Sequence, residues 1–258
     1  MPEGDTIHRA ASTLDRALTG RALTAFRADG LGGALPGPGT TVRGVQARGK
    51  HLLIRFDDGL TLHTHMRMEG SWHLYRPGER WRKARASAKI VLETEDWVAV
   101  CFSAPIVEVV RDERRLASVR SLGPDLTAPD PDLDEALTRM AATEQEREIG
   151  EVLLDQRIAA GIGNVYKSEV LHLERISPFT PLSGLEVAAR RRLLERAAAL
   201  LRRNLTTVRR TTVAGGLAVY GRAGRPCRRC GSTIRRRLQG RERPRATFWC
   251  PACQPSAA

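Results

Sequence analysis

The chain has 258 residues, with 42 lysines and arginines against 29 aspartates and glutamates, and its formal net charge of +13 points to a polyanionic partner. A hydrophobic fraction of 41% supports a packed core, while no run approaches the roughly 18 apolar residues that span a bilayer and the first residues lack a basic-then-apolar secretory signal. Together these features exclude a helical membrane protein and predict an ordinary folded protein of one large or two modest domains, cytosolic in location. Only four of the basic residues are lysines (Lys50, Lys83, Lys89 and Lys167), so each is a candidate for an individual role.

The chain opens Met1-Pro2-Glu3-Gly4-Asp5-Thr6. Removal of Met1 leaves Pro2 as a secondary amine beside a carboxylate. An α-amino group has a reference pKa of about 7.7–8.0, so it is substantially neutral near pH 7 without special burial. Attack by a secondary amine on a sugar carbon or aldehyde gives an iminium that cannot shed an N–H proton. That cation acts as an electron sink and weakens neighbouring C–H and C–O bonds. Glu3 lies within reach to move a proton on or off the adduct. Met-Pro-Glu is also how many chains simply begin, and these three residues alone do not decide between the two readings.

Apolar residues then fall at Ile7, Ala10, Ala11, Leu14, Ala17 and Leu18, a 3.6-residue stripe that predicts a helix capped by Asp5 or Thr6 and closed by Gly20. From about 21 to 120 the texture changes to short β-like runs at 52–56, 61–64, 89–92 and 97–102, separated by Asp57-Asp58-Gly59, Glu69-Gly70 and Pro77-Gly78. This spacing predicts a β-sandwich or barrel. The Pro/Asp-rich stretch around Ala128-Pro129-Asp130-Pro131-Asp132 reads as a linker. Helical patterns follow at 133–141, 146–157, 164–174 and 184–204, with Gly161-Ile162-Gly163-Asn164 breaking two of them sharply. That break fits any tight interhelical turn. It also fits a nucleic-acid element, because glycines let the backbone approach a phosphate and Asn164 at a helix start leaves orphan amides facing outward.

Cys227-x2-Cys230-x19-Cys250-x2-Cys253 carries the most specific spacing in the chain. Two Cys-x2-Cys turns can place four thiolates tetrahedrally around one Zn²⁺, a structural ion because the four sulfurs fill its shell; a disulfide or redox pair is the competing reading. Around these cysteines lie ten arginines (222, 225, 228, 229, 235, 236, 237, 241, 243 and 245) and a single acid, Glu242, a charge suited to phosphates. Ile234, Leu238, Phe248 and Trp249 are the apolar residues available to pack the hairpin. Lys50, after Gly49 and before a strand, is either a solvated turn lysine or a point charge for phosphate that also depresses the pKa of the nearby amine. His63 and His65 share a strand face and read as structural, and Cys101 reads as a small buried hydrophobe.

Taken in order, these residues resemble the formamidopyrimidine-DNA glycosylase/endonuclease VIII family, nearer its endonuclease VIII branch. The resemblance is carried by Pro2-Glu3, Gly49-Lys50, Leu122-Gly123-Pro124-Asp125, Asp155-Gln156 through Gly161-Ile162-Gly163-Asn164-Val165-Tyr166-Lys167-Ser168-Glu169, Val219-Tyr220-Gly221-Arg222, and Arg245 through Gln254. It implies an α+β multidomain fold. A helix precedes an N-terminal β-sandwich catalytic domain over 1–122, a linker covers 123–135, a helix-two-turns-helix domain covers 136–219 and a four-cysteine zinc finger covers 220–258. It further implies a monomeric, nucleoid-associated glycosylase and lyase of base-excision repair that flips a damaged nucleotide and attacks its C1′ with Pro2. In that reading Glu3 is the proton donor and shuttle, Lys50 grips phosphate and assists proton transfer, Asn164 holds the backbone, and Arg245 clamps phosphates and serves δ-elimination. Arg67 and Met68 are the expected wedge.

Gly4-Asp5-Thr6 and the short interval 211–219 favour oxidised pyrimidines over 8-oxoguanine or formamidopyrimidine, the alternative within enzymes. A non-catalytic zinc-finger DNA-binding protein is the alternative outside them. Glu69 beside the wedge and the lack of an aromatic in Arg114-Arg115-Leu116 depart from the guanine-directed pattern, so single-stranded or bubble DNA is an expected substrate besides duplex.

Overall fold

A computed structural model describes residues 2–28, 30–241 and 244–255; Met1, Glu242 and Arg243, which figure in the sequence reading, lie outside them. The chain forms two compact units, Met1–Ser121 and Leu122–Ala258.

In the first unit helix α1 (Gly4–Leu18) buries Ile7, Ala11, Leu14, Ala17 and Leu18. It ends where Gly20 adopts a left-handed conformation (φ 80°) and donates its N–H to the Val42 carbonyl at 2.9 Å. The helix begins earlier than the capping pattern predicts. Glu3 is the N-cap residue, its carbonyl taking the Thr6 and Ile7 N–H groups at 2.9 and 3.1 Å, and Asp5 sits inside the first turn.

Eight strands follow: β1 (Ala25–Ala28), β2 (Val42–Arg48), β3 (His51–Phe56), β4 (Thr61–His65), β5 (Ser71–Tyr75), β6 (Ala88–Glu93), β7 (Val98–Phe102) and β8 (Ile106–Val110). They form two antiparallel four-stranded sheets in the orders β2-β3-β4-β8 and β1-β6-β7-β5. Four of the eight were legible as apolar runs. The others carry polar residues at alternate positions or only half-buried side chains. Leu52, Ile54 and Leu62 of one sheet and Ile90, Leu92, Ala99 and Cys101 of the other share one core with α1. The opposite face of β6 and β7 packs Val91, Val98 and Val100 against Tyr75 and Phe102. A short helix α2 (Ala117–Arg120) closes the unit.

The second unit contains α3 (Leu133–Ala141), α4 (Ile149–Val152), α5 (Asn164–Leu173) and α6 (Val187–Arg203), followed by the antiparallel hairpin β9 (Arg235–Gln239) and β10 (Arg245–Trp249). Met140, Val152, Ile162, Tyr166, Val170, Leu194 and Leu201 are buried together at its centre. The helix expected over 146–157 is only one turn long, because local polar bonds win over propensity beyond Val152. Asp155 accepts the Arg157 N–H at 3.1 Å and the Arg157 guanidinium at 2.7 Å. The backbone of 122–126 then pairs with this stretch, Gly123 N–H to Gln156 carbonyl at 2.9 Å and Leu126 N–H to Ala160 carbonyl at 3.0 Å. The start of the segment read as a linker is therefore packed into the second unit, with Leu126 fully buried. Likewise α6 starts at Val187 after a separate 3-10 turn over Leu182–Gly184, three residues later than expected.

Gly123 has no room for a side chain: a methyl there would lie 2.2 Å from the Ile158 carbonyl oxygen and 2.8 Å from that of Arg157. Gly123→Ala is expected to destabilise the protein by on the order of 1–3 kcal/mol through backbone displacement. Urea unfolding should show a lower midpoint at similar m; an unchanged midpoint would contradict the packing.

Candidate active site and metal centre

In the first unit the chain runs from half-buried Pro2 into Glu3, which is 0% exposed at the positive end of α1. Asp5 is equally buried, accepting the Thr6 N–H at 2.8 Å and pairing with Arg9 at 3.6 Å. Helix α1 packs across β2 and β3. These strands are joined by a two-residue turn, Gly49-Lys50, between the paired residues Arg48 and His51. Gly49 takes a left-handed φ of 57°, which a tight hairpin turn demands and a glycine supplies without strain. Lys50 therefore stands at the tip of the hairpin over which α1 lies.

Beside Lys50 runs a row of polar rings that the sequence reading only half anticipated. His51 Nδ1 lies 2.8 Å from His63 Nε2, and His63 Nδ1 lies 2.8 Å from Glu108 Oε2, its cross-strand partner on β8. The His65 ring meets that of His51 edge-on at 4.7 Å. His63 and His65 do share a strand face, but the partners that hold them, His51 and Glu108, come from β3 and β8. Burial pushes the His51 pKa down to about 3, helped by the charges of His65, His63 and Lys50; burial and then Lys50 push His65 down to about 4.

Arg67, Met68 and Glu69 project from a tight turn over 66–70. Its base is fixed by buried Met66, whose carbonyl accepts the Gly70 N–H at 2.8 Å. A side chain at Gly70 would come within 2.7 Å of the Met66 backbone, so only glycine closes this turn. Arg67 takes a left-handed φ of 42° and its N–H reaches His65 Nδ1 at 3.1 Å. Met68 is 60% exposed.

In the second unit the glycine turn is locked by Gln156, which accepts the Gly161 N–H at 3.0 Å and donates to the Ile162 carbonyl at 3.0 Å. Gly163 caps α5, and Asn164 opens it. Asn164 is buried, and its Nδ2 donates to the Ala246 carbonyl at 2.6 Å. Arg245, exposed, starts β10 opposite Gln239.

Further polar residues of α5 reach the segment that follows α6. The Glu169 carboxylate accepts the N–H groups of Ala218, Val219 and Tyr220 at 2.6–2.8 Å together with the Thr212 hydroxyl. His172 Nε2 lies 3.5 Å from Cys227 Sγ. The four cysteine sulfurs all lie within 4.8 Å of one another, with Cys230 to Cys250 at 3.4 Å and Cys227 to Cys253 at 4.0 Å. Four sulfurs around Zn²⁺ at about 2.3 Å stand about 3.8 Å apart, so the set fits such an ion. Among the described residues it is the one cluster of three or more potential ligands so spaced. Ile234, Phe248 and Val219 pack beside it. Leu238, expected in this core, is instead 60% exposed, because its neighbour Gln239 takes the inward position on β9; Trp249 stacks edge-on against Phe179.

Comparison with known proteins agrees with this architecture. The formamidopyrimidine-DNA glycosylase N-terminal domain profile matches residues 1–119, and the formamidopyrimidine-DNA glycosylase H2TH domain profile matches residues 122–214. A probable endonuclease 8 2 of Streptomyces coelicolor is 46% identical over all of this chain and 95% of its own length. The DNA-(apurinic or apyrimidinic site) lyase Nei2 of Mycolicibacterium smegmatis is 38% identical over the whole of both chains. In fold, the chain is similar to Lactococcus lactis formamidopyrimidine-DNA glycosylase bound to DNA containing an abasic site, with a TM-score of 0.82 at 24% identity, covering 98% of this chain and all of the other. The chain belongs to the formamidopyrimidine-DNA glycosylase family. No described helix is long and apolar enough to cross a membrane.

Because His51 and His65 bind protons less readily when folded than at the ordinary 6.5, the unfolded chain takes up more protons below that pH. Stability is expected to fall as pH drops from about 6.5 toward 4, by at most about 1.4 kcal/mol per pH unit for each proton of difference. Urea unfolding of His51→Asn at pH 7 and pH 5 should show a smaller pH dependence than the parent protein; equal slopes would contradict the assignment.

Proposed function

We propose that this chain is a bifunctional DNA glycosylase and abasic-site lyase of base-excision repair, acting through Pro2 and favouring oxidised pyrimidines. The observation that carries the reading is a fully buried carboxylate, Glu3, directly after Pro2 at the head of a helix that packs over the hairpin bearing Lys50. Full-length similarity to relatives named endonuclease 8 and abasic-site lyase supports the same class.

The reaction runs in balanced steps. Glu3 protonates the deoxyribose ring oxygen as the Pro2 nitrogen bonds to C1′ and the C1′–O4′ bond breaks with its electron pair on that oxygen; the Pro2 nitrogen then sheds its N–H proton, and the C1′–N bond to the damaged base breaks with its electron pair leaving on the base, which takes up a proton. The resulting iminium acidifies the C2′ hydrogen. Loss of that proton expels the 3′ phosphate, a second elimination expels the 5′ phosphate, and water releases the unsaturated sugar from Pro2. Lys50 holds phosphate and assists proton transfer, Asn164 anchors the DNA backbone at the glycine turn, and Arg245 clamps the phosphates of the extruded nucleotide and serves the second elimination. Arg67 and Met68 fill the space that the nucleotide leaves. Since unpaired bases need no wedge, single-stranded and bubble DNA are substrates alongside duplex.

Cys227, Cys230, Cys250 and Cys253 would hold one Zn²⁺, which supplies folding free energy to the finger and takes no part in bond breaking. The preference for pyrimidines draws support from the segment between α6 and the finger. Asn204 accepts the Thr211 N–H at 2.9 Å and donates to its carbonyl at 3.0 Å, and Thr212 N–H reaches the Gly216 carbonyl at 2.9 Å. Little chain is left there to fold over a flipped purine.

Borohydride reduction on abasic-site DNA should trap a covalent adduct, and Glu3→Gln should suppress base release more than strand cleavage at a preformed abasic site. No adduct would leave a DNA-binding module without catalysis, and equal loss of both activities would show that Glu3 is not the ring-opening acid. Parallel cleavage of 5-hydroxyuracil and of 8-oxoguanine opposite cytosine should favour the former; the reverse order would overturn the lesion preference. Cys227→Ala should lose zinc and weaken DNA binding generally, and a zinc-free variant that binds normally would exclude the metal from this role.

A further inference from the structure

The finger hairpin is bolted to the helical region by a line of buried polar groups that the proposed chemistry does not use. Lys167, in the first turn of α5, is fully buried, and its Nζ donates to Thr247 Oγ1 at 2.6 Å. The Thr247 hydroxyl passes its own proton to Gln239 Oε1 at 2.8 Å. Gln239 Nε2 then donates to Glu148 Oε2 at 2.7 Å and to the Pro178 carbonyl at 2.8 Å. An ammonium has donors only and a hydroxyl has a single proton, so the direction of every bond in this line is fixed from Lys167 outward. The Gln239 amide also has no space to shift toward α4: a side chain at Gly150 would lie 2.5 Å from its Oε1 and 2.7 Å from its Nε2.

The line ends at the residues that bracket Arg245. Gln239 is its directly opposed partner across the hairpin, and Thr247 lies two residues along β10 on the same face. Ala246, between them, is held by Asn164 through its carbonyl. A buried ammonium is costly unless its hydrogen bonds are met, so a site that keeps Lys167 at no solvent exposure gains from holding a fixed geometry.

We propose that Lys167, Thr247 and Gln239 are positioning residues that set the reach of Arg245 from the Asn164 turn and thereby the partition between the first and second eliminations. This inference rests on the role given to Arg245 above, and the experiment separates the two. Full-length protein is reacted with duplex DNA carrying one abasic site in single turnover. The ratio of 3′-phosphate product to 3′-unsaturated aldehyde product is measured for the parent, Arg245→Ala, Thr247→Val and Thr247→Ser, together with zinc content and borohydride trapping.

Thr247→Val removes the hydroxyl at constant shape and should lower the ratio roughly tenfold, inside the loss of up to about 10²-fold that a misplaced group can cause. Trapping and zinc should stay within twofold of the parent, and Thr247→Ser should restore most of the ratio. A fall with Arg245→Ala but the parent ratio in Thr247→Val overturns the positioning proposal. An unchanged ratio in Arg245→Ala overturns the role of Arg245 itself, and the proposal with it. Should Thr247→Val lose zinc, Gln239→Met carries the same test with the Lys167 to Thr247 bond left in place, and the parent ratio in that variant is again the overturning result.

Discussion

A carboxylate without solvent access at the third residue is the constraint on which the rest of the first unit depends. Glu3 is buried at the N-cap position of α1, where the positive end of the helix favours negative charge. The helix can begin so close to the start of the chain because Ile7, Leu14 and Leu18 lock it onto the sheet, each contributing about 1.5–3 kcal/mol by burial. The same packing places α1 over the strands that end in the Gly49-Lys50 turn. Moving the helix by one residue would withdraw the acid, the amine and the apolar stripe together.

In the second unit a ten-residue helix performs the corresponding task. Helix α5 is buried along nearly its whole length, yet its sequence is half polar. Those polar side chains are fasteners: Asn164 and Lys167 hold β10, Glu169 gathers three successive N–H groups of the chain entering the finger, and His172 stands against Cys227. A small finger with few apolar residues gains little from a core of its own, so its orientation depends on these bonds and on the cluster of four cysteines. The four-cysteine cluster and the glycine turn thereby become parts of one rigid arrangement.

The residues that were legible in sequence are those whose chemistry is local. Two Cys-x2-Cys turns announce their own geometry, a Gly-Ile-Gly-Asn break forces a turn, and an apolar stripe marks α1. What escaped depends on distant partners. Leu238 looked like core, but Gln239 takes the inward place because it is needed by Glu148, 91 residues away. The helix expected over 146–157 ends at Val152, where Asp155 folds onto Arg157, and the pairing of Gly123 and Leu126 with the stretch beyond it has no local signal. His51 gave no signal beside Lys50 until β4 and β8 supplied His63 and Glu108. The polar alternation of β2 and β5 hid two strands for the ordinary reason that a sheet with one face outside need not be apolar throughout.

The proposed covalent mechanism turns on the chemical state of one nitrogen, that of Pro2. Mass spectrometry of the N-terminal peptide, recovered from molecules selected by their ability to cleave abasic-site DNA, reports that state directly. The expected peptide begins at an unblocked Pro2. Active molecules that uniformly retain Met1 would make that nitrogen an amide and would contradict the proposed mechanism.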